Sequence, residues 1–226
     1  HPQRLVAAMK PLIAPSLLAG NHAALAESAA VAAGTTGVEW LHLDIMDGHF
    51  VPNLTFGPET VNALRPRCDL FFDVHLMLAR PDQFIEPFAK AGAQLITVHT
   101  EPAYDLPGTL DAIRAHGCQV GLAINPGTSL ETLLPWADRL DLALLMTVQP
   151  GFGGQAFRED VLPKIEALAR YREETGLTFR IEVDGGVDRQ TGPRCRDAGA
   201  DTFVAGSAFF RDEDKPGFVK HLGGQG

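Results

Sequence analysis

The sequence predicts an α/β protein built as a single (β/α)8 TIM barrel, and three observations carry that expectation. Eight short runs of β-branched or aliphatic residues alternate with longer segments of helical periodicity. No linker, low-complexity tract or charge block interrupts the alternation. The first run ends in Ser16-Leu17-Leu18-Ala19-Gly20-Asn21, which lacks the GxGxxG turn of an open dinucleotide-binding sheet. Eight consecutive βα units with short connections require parallel strands and right-handed crossovers, and such a sheet closes most readily into a barrel.

The strands are expected at residues 13–18, 40–45, 71–76, 95–99, 119–124, 142–148, 179–183 and 202–205. Helices are expected between them at 22–33, 58–64, 81–91, 106–116, 130–136, 159–174 and 189–198, with a last one that includes 215–221. Gly34, Gly92, Gly117 and Gly199 each follow a helical segment, where glycine adopts the left-handed C-terminal cap at least steric cost. One domain over residues 1–226 is expected, with residues 1–10 a loosely ordered N-terminal extension.

With 226 residues, 45% hydrophobic and 21% charged, the chain can bury a substantial core. A net charge of −9 and the absence of a Lys/Arg stripe argue against nucleic acid as a partner. The 3 cysteines, Cys68, Cys118 and Cys195, are far apart and suggest neither a disulfide framework nor a thiolate metal site. The apolar run at residues 5–8 is too short for a signal core, and nothing approaches the roughly 20 apolar residues of a membrane span. A reduced, cytoplasmic protein without a membrane partner is the expectation.

In a barrel the active site lies at the C-terminal ends of the strands. The side-chain period of two puts His42, Asp44 and Met46 of the second strand on one face. His75 and Met77 share a face at the end of the third strand, and the seventh ends in Asp184-Gly185-Gly186. Two imidazoles and two carboxylates offer an N2O2 set suited to one divalent ion, Zn, Fe, Mn or Co. A lone His in a strand is more often a hydrogen-bonded core residue, and a lone Asp often caps a helix. Burying all of them together without a ligand, however, costs several kcal/mol. His22, His49, His99, His116 and His221 show no such convergence. His22 is expected to begin a helix, His116 and His221 to be solvated, and His49 and His99 at most to line the mouth of the site.

Glycines form a second constellation. Gly151-Phe152-Gly153-Gly154 follows the sixth strand, Gly185-Gly186 the seventh and Gly206-Ser207 the eighth. Any one pair is readily explained as a tight turn, but three in adjacent loops suit a phosphate cradle of backbone N–H groups. Met46, Met77 and Met146 are candidates for an apolar wall around a reacting centre.

Six segments together resemble the ribulose-phosphate 3-epimerase family. They are Ala14-Pro15-Ser16-Leu17-Leu18-Ala19, the run from Leu41 through His42-Leu43-Asp44-Ile45-Met46-Asp47-Gly48-His49 to Asn53, Asp73-Val74-His75-Leu76-Met77, Pro150-Gly151-Phe152-Gly153-Gly154-Gln155, Val183-Asp184-Gly185-Gly186-Val187 and Val204-Ala205-Gly206-Ser207. They follow the family's order from about residue 11 to 210. The resemblance implies a barrel of the ribulose-phosphate-binding type that inverts C3 between D-ribulose 5-phosphate and D-xylulose 5-phosphate, in the pentose phosphate pathway. It implies metal ligands at His42, Asp44, His75 and Asp184, acid/base roles for Asp44 and Asp184, and substrate contacts from Ser16 and His75. By the same transfer the phosphate end is held by Gly151, Phe152, Gly153, Gly154, Gly185, Gly186, Gly206 and Ser207. Zinc is the metal expected as isolated, and relatives form dimers or hexamers, so a homo-oligomer is expected. Thr147 and Gln149 depart from the Ser and Asn more usual in the family, which keeps a hexulose substrate such as D-allulose 6-phosphate as an alternative. A non-catalytic phosphosugar-binding barrel would be expected to lose one of the two aspartates, and a metal-free phosphate barrel to end a strand in lysine.

Overall fold

A computed structural model describes residues 9–151 and 155–225. Eight strands form one parallel sheet: β1 Leu12–Pro15, β2 Trp40–Met46, β3 Phe71–Met77, β4 Leu95–His99, β5 Gln119–Ile124, β6 Leu142–Met146, β7 Arg180–Asp184 and β8 Thr202–Ala205. Their order is β1-β8-β7-β6-β5-β4-β3-β2. A parallel bridge from Ser16 to His42 closes the ring between β1 and β2. The helices are α1 Leu25–Ala33, α2 Pro58–Leu64, α3 Ile85–Ala91, α4 Leu106–Ala115, α5 Leu162–Thr175, α6 Thr191–Ala198, α7 Ser207–Arg211 and α8 Lys215–Leu222.

The period of two sorts each strand into an outer and an inner row. Leu41, Leu43 and Ile45 of β2, and Phe72, Val74 and Leu76 of β3, join the main core between sheet and helices. Burying each such side chain contributes about 1.5–3 kcal/mol. The inner row packs a second apolar cluster of Leu12, Ala14, Trp40, Leu95, Ala123, Leu142, Leu144 and Met146. His42, Asp44, Asp73, His75, Thr97, His99 and Glu182 are also buried. All seven fall on the inner parity of their strands, so the barrel interior carries a polar group from β2, β3, β4 and β7 beside the apolar one.

Several expectations need correction. No α-helix forms at 130–136, where two 3-10 segments, Leu130–Thr132 and Leu134–Arg139, follow β5 instead. Pro135 explains this, because it has no N–H to bond back four residues and its ring crowds that carbonyl. The first helix starts at Leu25 rather than at residue 22, so His22 lies in the preceding turn. β1 stops at Pro15 where a 3-10 turn, Leu17–Ala19, diverts the chain. β6 stops at Met146, and β7 runs on to include Asp184. Gly92, Gly117 and Gly199 have φ of 119°, 81° and 120° as expected of left-handed caps, whereas Gly34 does not. Gly34 stays right-handed at φ −79°, its N–H still bonded to Ala30 O, and the reversal falls on Gly37 at φ 90°. Of the N-terminal ten residues only Met9 and Lys10 are described, and Lys10 is ion-paired to Glu39 at 2.9 Å. No helix among the described residues is long and apolar enough to cross a membrane.

Candidate active site

β2 and β3 run side by side with Asp44 opposite His75, and β7 brings Asp184 to the same end of the barrel. His42 Nε2 lies 3.1 Å from Asp44 Oδ1 and 3.5 Å from Asp184 Oδ2. His75 Nδ1 lies 3.2 Å from the same Asp44 oxygen and 3.6 Å from the same Asp184 oxygen. One donor atom from each of the four residues thus falls within 4.8 Å of all the others. Ser16, delivered by the bridge that closes the barrel, donates its hydroxyl to Asp44 Oδ2 at 2.6 Å.

The electrostatics suit a cation. Burial opposes ionisation of Asp44, but His42 and His75 overcome it and hold the carboxyl far below the usual range. Burial likewise opposes a charged His42, but Asp44 and Asp73 overcome it and raise the imidazole well above its ordinary value. Carboxylates dominate a pocket from which water is largely excluded, so positive charge is favoured there. The donor set, the convergence of its atoms and this bias together fit a divalent ion. The buried His/Asp cluster can hold one.

Two further inner-face residues support the cluster and went unassigned from sequence. Asp73 Oδ2 accepts from His42 Nδ1 at 2.8 Å, which leaves Nε2 as the ring atom that faces the other donors. Glu182 lies with Asp73 and His42 in a second buried group below the first. Both occupy positions i−2 to a candidate ligand, so the strand period that selects His75 and Asp184 also selects them. His99 needs correction too. It is fully buried, does not line the cavity mouth, and its Nε2 is 2.7 Å from His75 Nε2. His49 is exposed and does not line the cavity either. His116 is exposed as expected, while His221 is only partly so and its ring bonds Arg189 O at 2.7 Å.

A cavity of about 580 Å³ opens beside the cluster. Ser16, Asp44 and Asp184 line it together with Met46, Met77 and Met146. Gly151, Gly185, Gly186, Gly206 and Ser207 line it as well. Phe152, Gly153 and Gly154 lie outside the described residues. At Gly185, φ is 127° and a Cβ would come within 2.7 Å of Val148 N, so the turn itself demands glycine. At Gly206, φ is −96° and ψ is −110°, a combination that also favours glycine, although an added Cβ would meet only the Ala19 methyl, at 3.3 Å.

A barrel with four ligand-type side chains at its strand ends and a glycine-lined cavity beside them belongs to the phosphosugar-enzyme class in its architecture. A family model described as the ribulose-phosphate 3-epimerase family matches residues 12–210, and the chain belongs to that family. It is 46% identical over 214 residues to the ribulose-phosphate 3-epimerase of Bacillus subtilis (strain 168), covering 94% of this chain and 98% of that protein. It is 43% identical over 213 residues to the chloroplastic ribulose-5-phosphate-3-epimerase of Arabidopsis thaliana, covering 93% and 75%. Among solved structures, KGPDC from Streptococcus mutans superposes with a TM-score of 0.67 at 19% identity, over 96% of this chain and 97% of that one. That likeness bears on the fold alone.

Proposed function

We infer that this chain interconverts D-ribulose 5-phosphate and D-xylulose 5-phosphate by inverting C3, the reaction for which its relatives are named. The observation that carries the mechanism is the convergence of Asp44 and Asp184, from β2 and β7, beside a cavity of sugar-phosphate size. Inversion next to a ketone requires a proton to leave C3 from one face and another to arrive from the opposite face. Asp44 and Asp184 serve as that pair, one ionised as base and the other protonated as acid, with roles exchanged in the reverse direction. Ser16 occupies Asp44 Oδ2 and so holds the carboxylate in one orientation. A divalent ion held by His42, Asp44, His75 and Asp184 supplies, when bound, Lewis-acid stabilisation of the charge developing on the substrate oxygens; zinc is the ion expected as isolated. Met46, Met77 and Met146 keep water from the carbanionic centre.

The Gly206-Ser207 turn, which leads into α7 at the cavity rim, supports a phosphate contact there, with Gly151, Gly185 and Gly186 completing the cradle. Phe152, Gly153 and Gly154 are assigned to it on the family resemblance. The departures at 147 and 149 do not favour a hexulose. Thr147 is buried with its hydroxyl donated to Gly185 O at 2.5 Å, and Gln149 is exposed and off the cavity lining. We read residues 1–226 as one domain of a cytoplasmic homo-oligomer, a dimer or hexamer.

A coupled assay on D-ribulose 5-phosphate and D-allulose 6-phosphate, with wild type and Asp184→Asn, tests this reading. Pentulose activity that falls at least 10²–10⁴-fold in the variant is expected. Preference for the hexulose moves the substrate, and inactivity of zinc-loaded wild type on both overturns the assignment.

A further inference from the structure

Behind His75 a line of hydrogen bonds runs away from the cavity across three strands. His75 Nε2 and His99 Nε2, from β3 and β4, are 2.7 Å apart. His99 Nδ1 lies 2.8 Å from Glu101 Oε1, just past the end of β4. Glu101 Oε2 accepts from the backbone N–H of Asn125, just past β5, at 2.7 Å. Phe50 packs edge-on against the His99 ring with centroids 5.0 Å apart.

The polarity of this line is fixed from its far end. Burial works against ionisation of Glu101, but the contacts with His99 and the Asn125 N–H prevail and keep it an anion that only accepts. His99 must then carry a proton on Nδ1. With its own proton on Nδ1, the neutral His99 ring offers only the lone pair of Nε2 to the imidazole 2.7 Å away. His75 Nε2 is then the donor, which leaves Nδ1, the atom facing Asp44 and Asp184, as the ring's ligand atom when a cation is bound.

We propose that Glu101, acting through His99, is a positioning residue that fixes the proton of His75 on Nε2 and presents its Nδ1 as a ready ligand. The inference rests on the cation-site reading. It also separates the two imidazoles, since His42 is held directly by the Asp73 carboxylate whereas His75 reaches its carboxylate through a second ring. A neutral ring as immediate partner withdraws the Nε2 proton less than a carboxylate does, so His75 is the weaker donor of the pair.

Long-range ¹H–¹⁵N correlation spectra of histidine-labelled protein read the tautomers directly, with and without zinc. The expected pattern is His99 protonated on Nδ1 and bare on Nε2, with His75 protonated on Nε2 when zinc is bound. A His99 proton on Nε2 overturns the proposal, whether or not zinc binds, so its failure reads separately from that of the cation site. Glu101→Gln has one amide oxygen and cannot accept from both His99 and Asn125. Zinc release to a chelator is expected to quicken about tenfold in this variant, and by about 10–100-fold in His99→Leu. His99→Gln, whose amide oxygen can accept from His75, is expected to restore retention in part. Release from Glu101→Gln at the wild-type rate, with an unchanged melting point of the zinc-free protein, also overturns the proposal.

Discussion

Below the four candidate ligands, Asp73 Oδ1 and both oxygens of Glu182 are buried without a donor. Two ionised carboxyls facing each other there would be costly. Burial first, and then Asp73, push Glu182 well above the usual carboxylate range, while His42 overcomes the same burial at Asp73 and lowers it. A proton held on Glu182 removes one of the two charges and supplies a donor beside Asp73. Glu182→Gln, which keeps a donor of the same shape, should therefore cost less than about 1 kcal/mol in chemical denaturation, whereas Glu182→Leu strands Asp73 and should cost about 1–3 kcal/mol. Equal losses in the two variants would contradict a protonated Glu182. At this scale the sequence was legible where side chains share a strand face, which is why His42, Asp44, His75 and Asp184 were found together. His99 was not, because strand parity alone does not say which neighbouring strand an inward ring will touch.

The loop after β2 is held by Asp47. Its Oδ1 accepts from the N–H groups of His49 and Phe50 at 2.8 and 2.9 Å, and its Oδ2 from Ala79 N, past the end of β3, at 2.7 Å. Burial opposes ionisation, but these backbone donors prevail and lower the pKa. With the folded value below the unfolded one, the unfolded chain binds more protons between them, so stability rises with pH through that window. The contribution is complete above the ordinary carboxylate pKa of about 4 and is lost as pH falls through the folded value. Asp47→Asn should cost about 1–2 kcal/mol at neutral pH, allowing for partial exposure, and should flatten the acid limb of the stability curve. An acid limb as steep as wild type would contradict the role. The segment at residues 50–57 sends side chains both ways. Phe50 and Val51 pack with Met46, Met77 and Leu18, while Leu54 points out. Element types were readable from hydrophobic period nearly throughout. The exception after β5 shows the limit, since the apolar spacing around Pro135 is helical but the missing N–H is decisive.

For the whole barrel, a buried cluster of two imidazoles and two carboxylates is a debt that a bound cation settles. An ion that binds only the folded state stabilises it by about 2.7 kcal/mol at a hundredfold excess over Kd. Saturating zinc should raise the melting temperature of chelator-stripped wild type, and this shift should vanish in His75→Ala. A shift of equal size in that variant would place the ion elsewhere. Barrel closure was legible from the count of βα units, because parallel strands joined by short right-handed crossovers leave few other closures. The cavity was legible only in outline: glycines named its rim, but whether a glycine serves its turn, as Gly185 does, depends on neighbours that only the folded chain supplies.

The central claim is proton transfer at C3 by two aspartates on opposite faces, and the early time course of D-ribulose 5-phosphate turnover in D2O, followed by ¹H NMR, tests it most directly. D-xylulose 5-phosphate carrying solvent deuterium at C3 is expected, while the remaining substrate keeps its C3 proton. Product that retains the original proton, deuterium washing into the substrate ahead of product, or no conversion by zinc-loaded protein would contradict it.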